Sequence, residues 1–552
     1  MMRNWSNYTL ILMVCCLLLS CGIRKGLNDV PDFTGMDSTV PKVEIVNDSL
    51  RITKRGFLSK NKQQLWELYV SGDPYQVGLN TGALTAELYQ KQETVFFSKV
   101  EEFVPAGFKQ KLLIRALKYY NRDLYKYIPN EYKVEIYGIS KYATTHFDFL
   151  GSSYQRNLYL HGAHDIGHAF QDLALVGCTS LAVWGDNSAD GELLIGRNFD
   201  FYAGDEFAEN KIIAFVRPEQ GNAFMSVTWG GMIGIVSGMN EKGLTVTLNA
   251  GKSSIPLKAK TPISVVAREI LQYADNIEQA IKIAKTKKVF VSESIMIGSA
   301  EDRKAVLIEI APKNFGVYDV ANSSALICSN HFQGEAFKAD KRNQKQIEES
   351  HSQYRWDKVN EYINNSEALT PQKMVDILRD TKGLNGKELG YGNEKALNQL
   401  LAHHGIVFQP EKRLVWVSSN PYQLGEFVAY DLTKIFSDEP TVYHLGVDSL
   451  TIAKDKFIKT KAFKDYERYR VEDRIFQKRI EDREEVSQEY IVMYQQLNPD
   501  YWVVYYRAGL YYLKNKQYAK AREQFNLALT KEVTTLPAEK RIRKYLKKIR
   551  NK

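Results

Sequence analysis

Residues 176–201 read VGCTSLAVWGDNSADGELLIGRNFDF, and this stretch decides how the rest of the chain is read. Thr179 to Val183 is a short β-type run. Asp186-Asn187 and Asp190-Gly191 supply turn residues, and Glu192 to Phe201 returns as a second β-type run. A hairpin of this kind carries Arg197 and Asp200 back toward the start of the first strand, where Cys178 follows Gly177. Its register stays open from sequence, because a slip of one residue moves every side chain to the other face. A thiol, a guanidinium and a carboxylate are therefore expected near one strand end.

The compartment of that thiol is read from the N-terminus. Residues 1–21, MMRNWSNYTLILMVCCLLLSC, carry one positive charge at Arg3, then an apolar run of about a dozen residues, then Ser20-Cys21. The run is too short to span a membrane and has a signal-peptide layout. Leu18-Leu19-Ser20-Cys21 resembles a bacterial lipoprotein cleavage site, which implies lipidation of Cys21. Residues 22 to about 55 are polar and interrupted by Gly and Pro, as a tether would be. Gly22-Ile23-Arg24-Lys25 lacks an aspartate directly after Cys21, which favours the outer membrane, with periplasmic or surface exposure left open. Of five cysteines, Cys15 and Cys16 leave with the signal, so only Cys178 and Cys328 enter the folded domain. That excludes a disulfide scaffold and leaves a single bridge open.

The chain has 552 residues, 44% of them hydrophobic and 12% aromatic, enough for several domains with real cores. Its net charge of +9 is local: the last stretch, EKRIRKYLKKIRNK, holds eight basic residues and one acid. The remainder is nearly neutral, which argues against a nucleic-acid-binding surface. A solvated helix face is the plain reading of that tail, with contact to anionic lipid or glycan as the alternative.

Along the chain, LWELYVSGDPYQVGLNTGALTAELY reads as a strand, a Gly-Asp-Pro turn and a helix, and helical patterns continue to about Gly177. From Thr179 short β-type runs alternate with turns, interrupted by the helices PISVVAREILQYA and NIEQAIKIAKT, and the last pair of strands ends near Leu432. The order fits stacked antiparallel sheets with helices outside. In the last hundred residues Gly509, Tyr512, Ala521, Phe525 and Ala528 fall at the spacings of a tetratricopeptide repeat. One repeat cannot bury its own face, so it is expected to pack on neighbours such as VSQEYIVMYQQL, and protein partner binding stays open.

A nucleophilic thiol needs a base, a group to orient that base and donors for an oxyanion. No histidine follows Cys178 closely. Cutting the Gly177–Cys178 bond would itself supply a base, since an α-amino group has a reference pKa of about 7.7–8.0. Glycine leaves the scissile carbonyl unhindered and tolerates a strained backbone.

GCTS followed by GRNFDF resembles the N-terminal-nucleophile hydrolases, especially the acyl-coenzyme A:isopenicillin N acyltransferase family, relatives of choloylglycine hydrolases and acid ceramidases. GDPYQVGLNTG, MNEKGLTVTLNAG and ICSNHF resemble further motifs of the family in order, and SQYR more loosely a later arginine motif; together they span about residues 65–435. The resemblance implies an α+β, four-layer αββα sandwich with a helical pro-segment, here followed by the α-helical tetratricopeptide-like appendage. It implies self-cleavage between Gly177 and Cys178, Cys178 as nucleophile and its freed amine as base. Arg197 would tune the thiol and Asp200 would hold the amine. Asn249 would serve the oxyanion, Asn330 the oxyanion or the amine, and Arg355 would close the site electrostatically.

Taken singly, each of these residues has a plainer reading: a small buried apolar side chain, a structural ion pair, a strand-end turn former. A competing cluster, HGAHDIGH, holds His161, His164, Asp165 and His168, with His164 and His168 spaced to share a helix face as zinc ligands can. It lacks the glutamate of His-Glu-x-x-His, so no metal and no cofactor is expected. His403 and His404 in LAHHGIVF read as a strand entry without a role.

The domains read as a signal peptide over 1–20, a lipidated tether over 21–55, a helical segment over 56–177, a catalytic domain over 178–450 and a helical region over 451–552. The expected function is an exported, self-processed cysteine amidohydrolase that cleaves a linear amide of a small N-acyl compound, with acyl transfer as the other fate of the thioester. Candidate substrates are N-acyl amino acids, bile-salt-like conjugates, fatty-acid amides and β-lactam side chains. Two other classes compete: a non-catalytic envelope scaffold acting through the C-terminal helices, and a metal-dependent hydrolase built on the histidine cluster.

Overall fold

The structure is a computed structural model that describes residues 25–103, 108–169, 177–201, 204–252, 258–438, 440 and 442–550. Arg3, the signal segment and Cys21 lie outside the described residues.

Two sheets form the centre. The larger has eleven strands in the order Glu44–Asn47, Leu50–Thr53, Gly56–Lys60, Trp66–Gly72, Ile212–Pro218, Phe224–Thr228, Ser237–Asn240, Leu244–Ala250, Glu293–Ser299, Lys304–Ala311 and Asn314–Tyr318. Its one parallel pair joins Trp66–Gly72 to Ile212–Pro218. The smaller has six strands in the order Ala325–Cys328, Thr179–Val183, Leu194–Phe199, His404–Gln409, Leu414–Ser418 and Phe427–Asp431. Side-chain alternation sorts their two faces. Ala182, Ile406, Phe408, Val415, Val417 and Val428 face Ile213, Phe215, Met225 and Leu307 of the larger sheet. Leu181, Val183, Val407 and Trp416 face the other way, onto Val359 and Met374 of the helices Ser352–Asn365 and Pro371–Leu378. The larger sheet's outer face, with Leu68, Val70, Ala214 and Val246, packs on Val77, Ile136, Val266 and Ala280 of four helices. Helix, sheet, sheet and helix make the expected four layers.

The opening motif GDPYQVGLNTG has a packing reason. Gly72 takes φ +131° as the chain leaves its strand, and the Asp73 side chain caps the next helix by accepting from Tyr75 N (2.8 Å) and Gln76 N (3.0 Å). Pro74 then starts helix Pro74–Leu84. Gly78 and Gly82 press that helix against helix Asn130–Ser140, where Gly138 answers them. A Cβ at Gly82 would lie 2.9 Å from Ile139 Cα, one at Gly138 would lie 2.8 Å from Leu79 N, and one at Gly78 would strike Glu135 O. Helix Asn130–Ser140 is tied to helix Ile263–Tyr273 by a buried bidentate pair, Arg268 to Glu135, at 3.2 and 3.0 Å.

The tether expected over residues 21–55 is corrected. Glu44–Asn47 and Leu50–Thr53 are edge strands of the larger sheet. Asp29 accepts from Tyr154 OH at 3.0 Å and from Lys133 Nζ at 3.3 Å, and Phe33 stacks on Tyr75 and Tyr137. The polar composition that suggests a linker is that of an edge hairpin with one face in water.

Residues 461–549 form five helices around their own aromatic core, which includes Tyr469, Phe476, Tyr494 and Phe525. Phe525 packs against Gly509, where a Cβ would lie 2.6 Å from its Cδ1. This region grips the loop that runs into His404–Gln409. Tyr466 OH donates to Leu400 O at 3.0 Å, Asn498 exchanges hydrogen bonds with the Tyr391 backbone (3.0 and 2.8 Å), and Asn393 Nδ2 donates to Glu532 O at 2.9 Å. Among the described residues no helix is long and apolar enough to cross a membrane.

Gly78→Ala is expected to lower stability by about 1–3 kcal/mol, because the added methyl meets backbone rather than a movable side chain. Gly162→Ala, whose Cβ would meet nothing nearer than 3.8 Å, is the control and should be neutral or slightly stabilising. Urea unfolding of the two variants checks the contrast.

Candidate active site

Cys178 lies at the entrance of strand Thr179–Val183 with its side chain fully buried. The hairpin register pairs Ser180 with Arg197 and Thr179 with Asn198, and Gly177 N donates to Asp200 O at 3.0 Å, extending the ladder past the cysteine. Two-residue alternation then puts Cys178, Ser180, Arg197 and Phe199 on the face toward the larger sheet, and Asn198 and Asp200 on the opposite face. The thiol and the carboxylate thus approach the Gly177–Cys178 peptide from different sides.

Arg197 is buried between the sheets. Its Nη1 donates to Val236 O at 2.8 Å and to Ser237 Oγ, and its Nη2 donates to Leu248 O and reaches Cys178 Sγ at 3.7 Å. Arg355, also buried, extends from helix Ser352–Asn365. Its Nη1 donates to Cys178 O at 2.6 Å and to Thr179 Oγ1, and its Nη2 to Asn330 Oδ1 at 2.7 Å. Asn330 Nδ2 donates to Ala250 O at 3.0 Å. Asn249 accepts from Ser180 Oγ at 2.8 Å and donates to Cys328 O at 3.2 Å. Arg197 and Arg355 thus reach Cys178 directly, Asn330 reaches it through Arg355, Asp200 borders Gly177 through its backbone, and Asn249 stands one residue along, on Ser180. Each asparagine amide keeps a second N–H for another acceptor.

Burial pushes the Cys178 thiol up to about 11; Asp200 and Glu293 add to the rise, while Arg197 and Arg355 oppose it. Burial also lifts the Asp200 carboxyl to about 7 against the pull of Arg355 and Arg197. The Gln423 amide lies beside Asp200 and favours its anion, but no hydrogen bond closes between them. Both carboxyl oxygens are without a hydrogen-bond partner among the described residues. Such a group is costly to keep unless a donor arrives.

Two glutamines at the site have no sequence signal. Gln399 Nε2 donates to Gly177 O at 2.8 Å, and its amide lies so close that a Cβ at Gly177 would meet its Cδ at 2.9 Å. Glycine before the cysteine thereby leaves room for an amide from more than two hundred residues away, which a methyl there would displace. Gln423 arrives on a loop whose backbone Arg379 fixes through Gln423 O (3.0 Å) and Gly425 O (2.7 Å). Neither glutamine stands in a periodic or spaced pattern that sequence reading could use.

Cys178 and Cys328 are both free thiols, which closes the question of a bridge between them. In the upstream cluster, His161 is a buried structural group: Nδ1 pairs with Asn157 O at 2.8 Å and Nε2 accepts from Ile233 N at 3.0 Å, so the ring is neutral with its proton on Nδ1. Burial brings its pKa down to about 4. Asp165 accepts from Ile263 N at 2.8 Å, at the start of helix Ile263–Tyr273. The side chains of His164 and His168 lie outside the described residues.

Past Phe199, on the side of the thiol, the surroundings become apolar. Phe96, Leu160, Phe201, Trp229 and Met232, with Gln92 and Gly230-Gly231, line a narrow pocket. Phe201 stacks on Phe199, next in line from the thiol.

Residues 186–420 match the family model described as acyl-coenzyme A:6-aminopenicillanic acid acyl-transferase. The match covers the central part of the chain, less than half of its length, and that part is similar to the family. The acyl-transferase match takes in Arg197, Asp200, Asn249, Asn330, Arg355 and Gln399; Cys178 precedes it and Gln423 follows it. An uncharacterized protein of Archaeoglobus fulgidus is 24% identical over 283 residues, 48% of this chain and 46% of that protein. Protein dcd1B of Dictyostelium discoideum is 22% identical over 278 residues, 47% of this chain and 53% of its own length. The chain thus spans about half the length of these curated relatives. Among solved structures, a Caenorhabditis elegans ortholog of N-acylethanolamine-hydrolyzing acid amidase is 17% identical with a TM-score of 0.30, over 42% of this chain and 93% of that one. A mutant conjugated bile acid hydrolase from Clostridium perfringens is 15% identical with a TM-score of 0.30, over 47% and 93%.

The Asp200 carboxyl carries a pH prediction for the uncut chain. Its folded pKa stands above the ordinary carboxyl value, so its stabilising share is present in full below about pH 4 and is lost as pH rises to about 7. Uncut Cys178→Ala protein is expected to lose roughly 2–4 kcal/mol more between pH 4.5 and 8 than the same protein carrying Asp200→Asn. Urea titrations of the two proteins at both pH values check it.

Proposed function

We propose that the chain is a self-processed cysteine amidohydrolase of the N-terminal-nucleophile type, acting on a linear amide of an N-acyl compound. The observation that carries this reading is the Gly177–Cys178 bond itself. Its carbonyl oxygen accepts from Gln399, its thiol lies against Arg197, and an unpartnered buried carboxyl waits at Asp200.

In the first reaction Cys178 Sγ attacks the Gly177 carbonyl carbon, and Gln399 Nε2 donates to the oxygen as charge develops on it. The C–N bond breaks, leaving Gly177 as a thioester on Cys178 and freeing the Cys178 amine. Water then releases the Gly177 carboxylate. The amine, as ammonium, gives Asp200 the donor it lacks in the uncut chain. As free base it takes the thiol proton at the start of turnover.

In turnover the thiolate attacks the substrate carbonyl, and the free amide N–H groups of Asn249 and Asn330 serve the oxyanion. The Cys178 ammonium returns its proton to the leaving amine. Water resolves the acyl-Cys178 thioester, or a second amine takes the acyl group. Hydrolysis is the preferred outcome for an exported enzyme, since acyl-coenzyme A is not expected outside the cytoplasm. Lipid anchoring through Cys21 at the outer membrane, and partner binding by the C-terminal helices in the manner of a tetratricopeptide repeat, belong to the same proposal.

Intact mass and N-terminal sequencing of the purified protein test it. Wild type is expected to contain a chain beginning Cys178-Thr179-Ser180, and Cys178→Ala is expected to remain whole. An uncut wild type would remove the α-amine base and the mechanism with it. Gln399→Ala should slow the appearance of the new chain by about 10²–10³-fold, the range for one oxyanion donor. Time courses after translation measure that rate. Gly177→Ala should slow cleavage as well, because its methyl displaces the Gln399 amide.

A further inference from the structure

Behind Arg197 lies a buried chain of hydrogen bonds that the reaction above does not use. Arg197 Nη1 donates to Ser237 Oγ, Ser237 Oγ lies 2.9 Å from His404 Nε2, and His404 Nδ1 lies 2.9 Å from His403 Nδ1. A guanidinium only donates, so the Ser237 oxygen accepts from Arg197, and its proton or its second lone pair meets His404 Nε2. The two histidines share one proton between their Nδ1 atoms, so the tautomer of one sets that of the other. Both rings are held neutral, since burial drives both histidines well below their ordinary pKa, and the nearby Arg197 and Lys211 charges act the same way. His403 ends the chain against the rings of Phe207 (4.8 Å) and Trp229 (5.5 Å), and Trp229 belongs to the wall of the apolar pocket.

We propose that Ser237 and His404 are positioning residues which hold the Arg197 guanidinium on Cys178 Sγ, with His403 fixing the tautomer of His404. The inference rests on Cys178 as the nucleophile. Arg197 has two backbone acceptors, Val236 O and Leu248 O, and one side-chain acceptor, Ser237 Oγ. The backbone carbonyls belong to the larger sheet, whereas Ser237 Oγ can turn. Without His404 the hydroxyl loses the partner that fixes its rotation, and a lone pair no longer faces Nη1 by necessity. The charged and titratable groups around Sγ are Arg197 and Arg355, which favour the thiolate, and Asp200, Glu293 and Cys328, which oppose it. Arg197 is the one in contact with the sulfur. Loosening it therefore weakens the main support for the thiolate.

The test is the pH dependence of Cys178 labelling by iodoacetamide, read by peptide mass spectrometry on the purified protein. Ser237→Ala and His404→Leu are expected to raise the midpoint by about one pH unit, near a tenfold loss of labelling at pH 7. His404→Gln can present its side-chain carbonyl where Nε2 stands and is expected to return the midpoint toward wild type. Ser237→Ala removes a single oxygen and no ring volume, and far-UV circular dichroism checks that it is folded, so it covers the case in which His404→Leu fails to fold. Wild-type midpoints in Ser237→Ala and in folded His404→Leu would overturn the proposal while leaving the nucleophile reading intact. A wild-type protein neither cut nor labelled at Cys178 would instead remove the nucleophile reading and this inference together.

Discussion

The buried guanidinium of Arg197 is the contact on which the active end of the sandwich depends. It leaves the smaller sheet, finds backbone acceptors at Val236 and Leu248 of the larger one, and places its remaining reach on Cys178 Sγ. A charge so placed is costly unless its donors are met, so the acceptors and the cation hold each other in register. The same bond set that joins the two sheets thereby aims a cation at the thiol. Packing and chemistry are one constraint here.

A second cation, Arg355, works from the opposite layer. It ties helix Ser352–Asn365 to the Cys178 carbonyl and to Asn330, so the loop after Ala325–Cys328 cannot shift without moving the nucleophile strand. The peptide between Gly177 and Cys178 is consequently gripped on each side: Arg355 on the carbonyl of Cys178, Gln399 on that of Gly177, and Asp200 O on the Gly177 N–H. Gln399 owes its place to the C-terminal helices, because Tyr466 and Asn498 fasten the loop around Tyr391 and Leu400. The helical region thus has a structural task at the active site, whatever else it binds.

The uncut chain stores an imbalance at Asp200. Its carboxyl sits unpartnered among buried groups while the Cys178 nitrogen is still an amide. Cleavage as proposed converts that amide into a donor-rich ammonium. The energetic cost carried before the cut is removed by its product, which gives the precursor a reason to be less comfortable than the enzyme.

Local pattern was enough for much of this. The strand–turn–strand of residues 179–201, the helix start at Asp73-Pro74, the strand carrying Asn249 and the strand that leads to Asn330 all follow from turn residues, caps and period-two alternation, which are properties of neighbours in the chain. So is the resemblance that brought Cys178, Arg197, Asp200, Asn249, Asn330 and Arg355 together before any coordinates. The edge hairpins at residues 44–53 were missed because a strand with one wet face has the composition of a linker. Gln399, Gln423, Ser237 and His404 were missed for another reason. Each lies beside groups far away in sequence, and one polar side chain at such a distance leaves no periodicity to read. By itself the sequence determined which elements form and which cysteine they carry at the strand entrance. Tertiary structure decided what surrounds it, because burial, the direction of a hydrogen bond and the closeness of Gln399 to Gly177 exist only once the layers have closed.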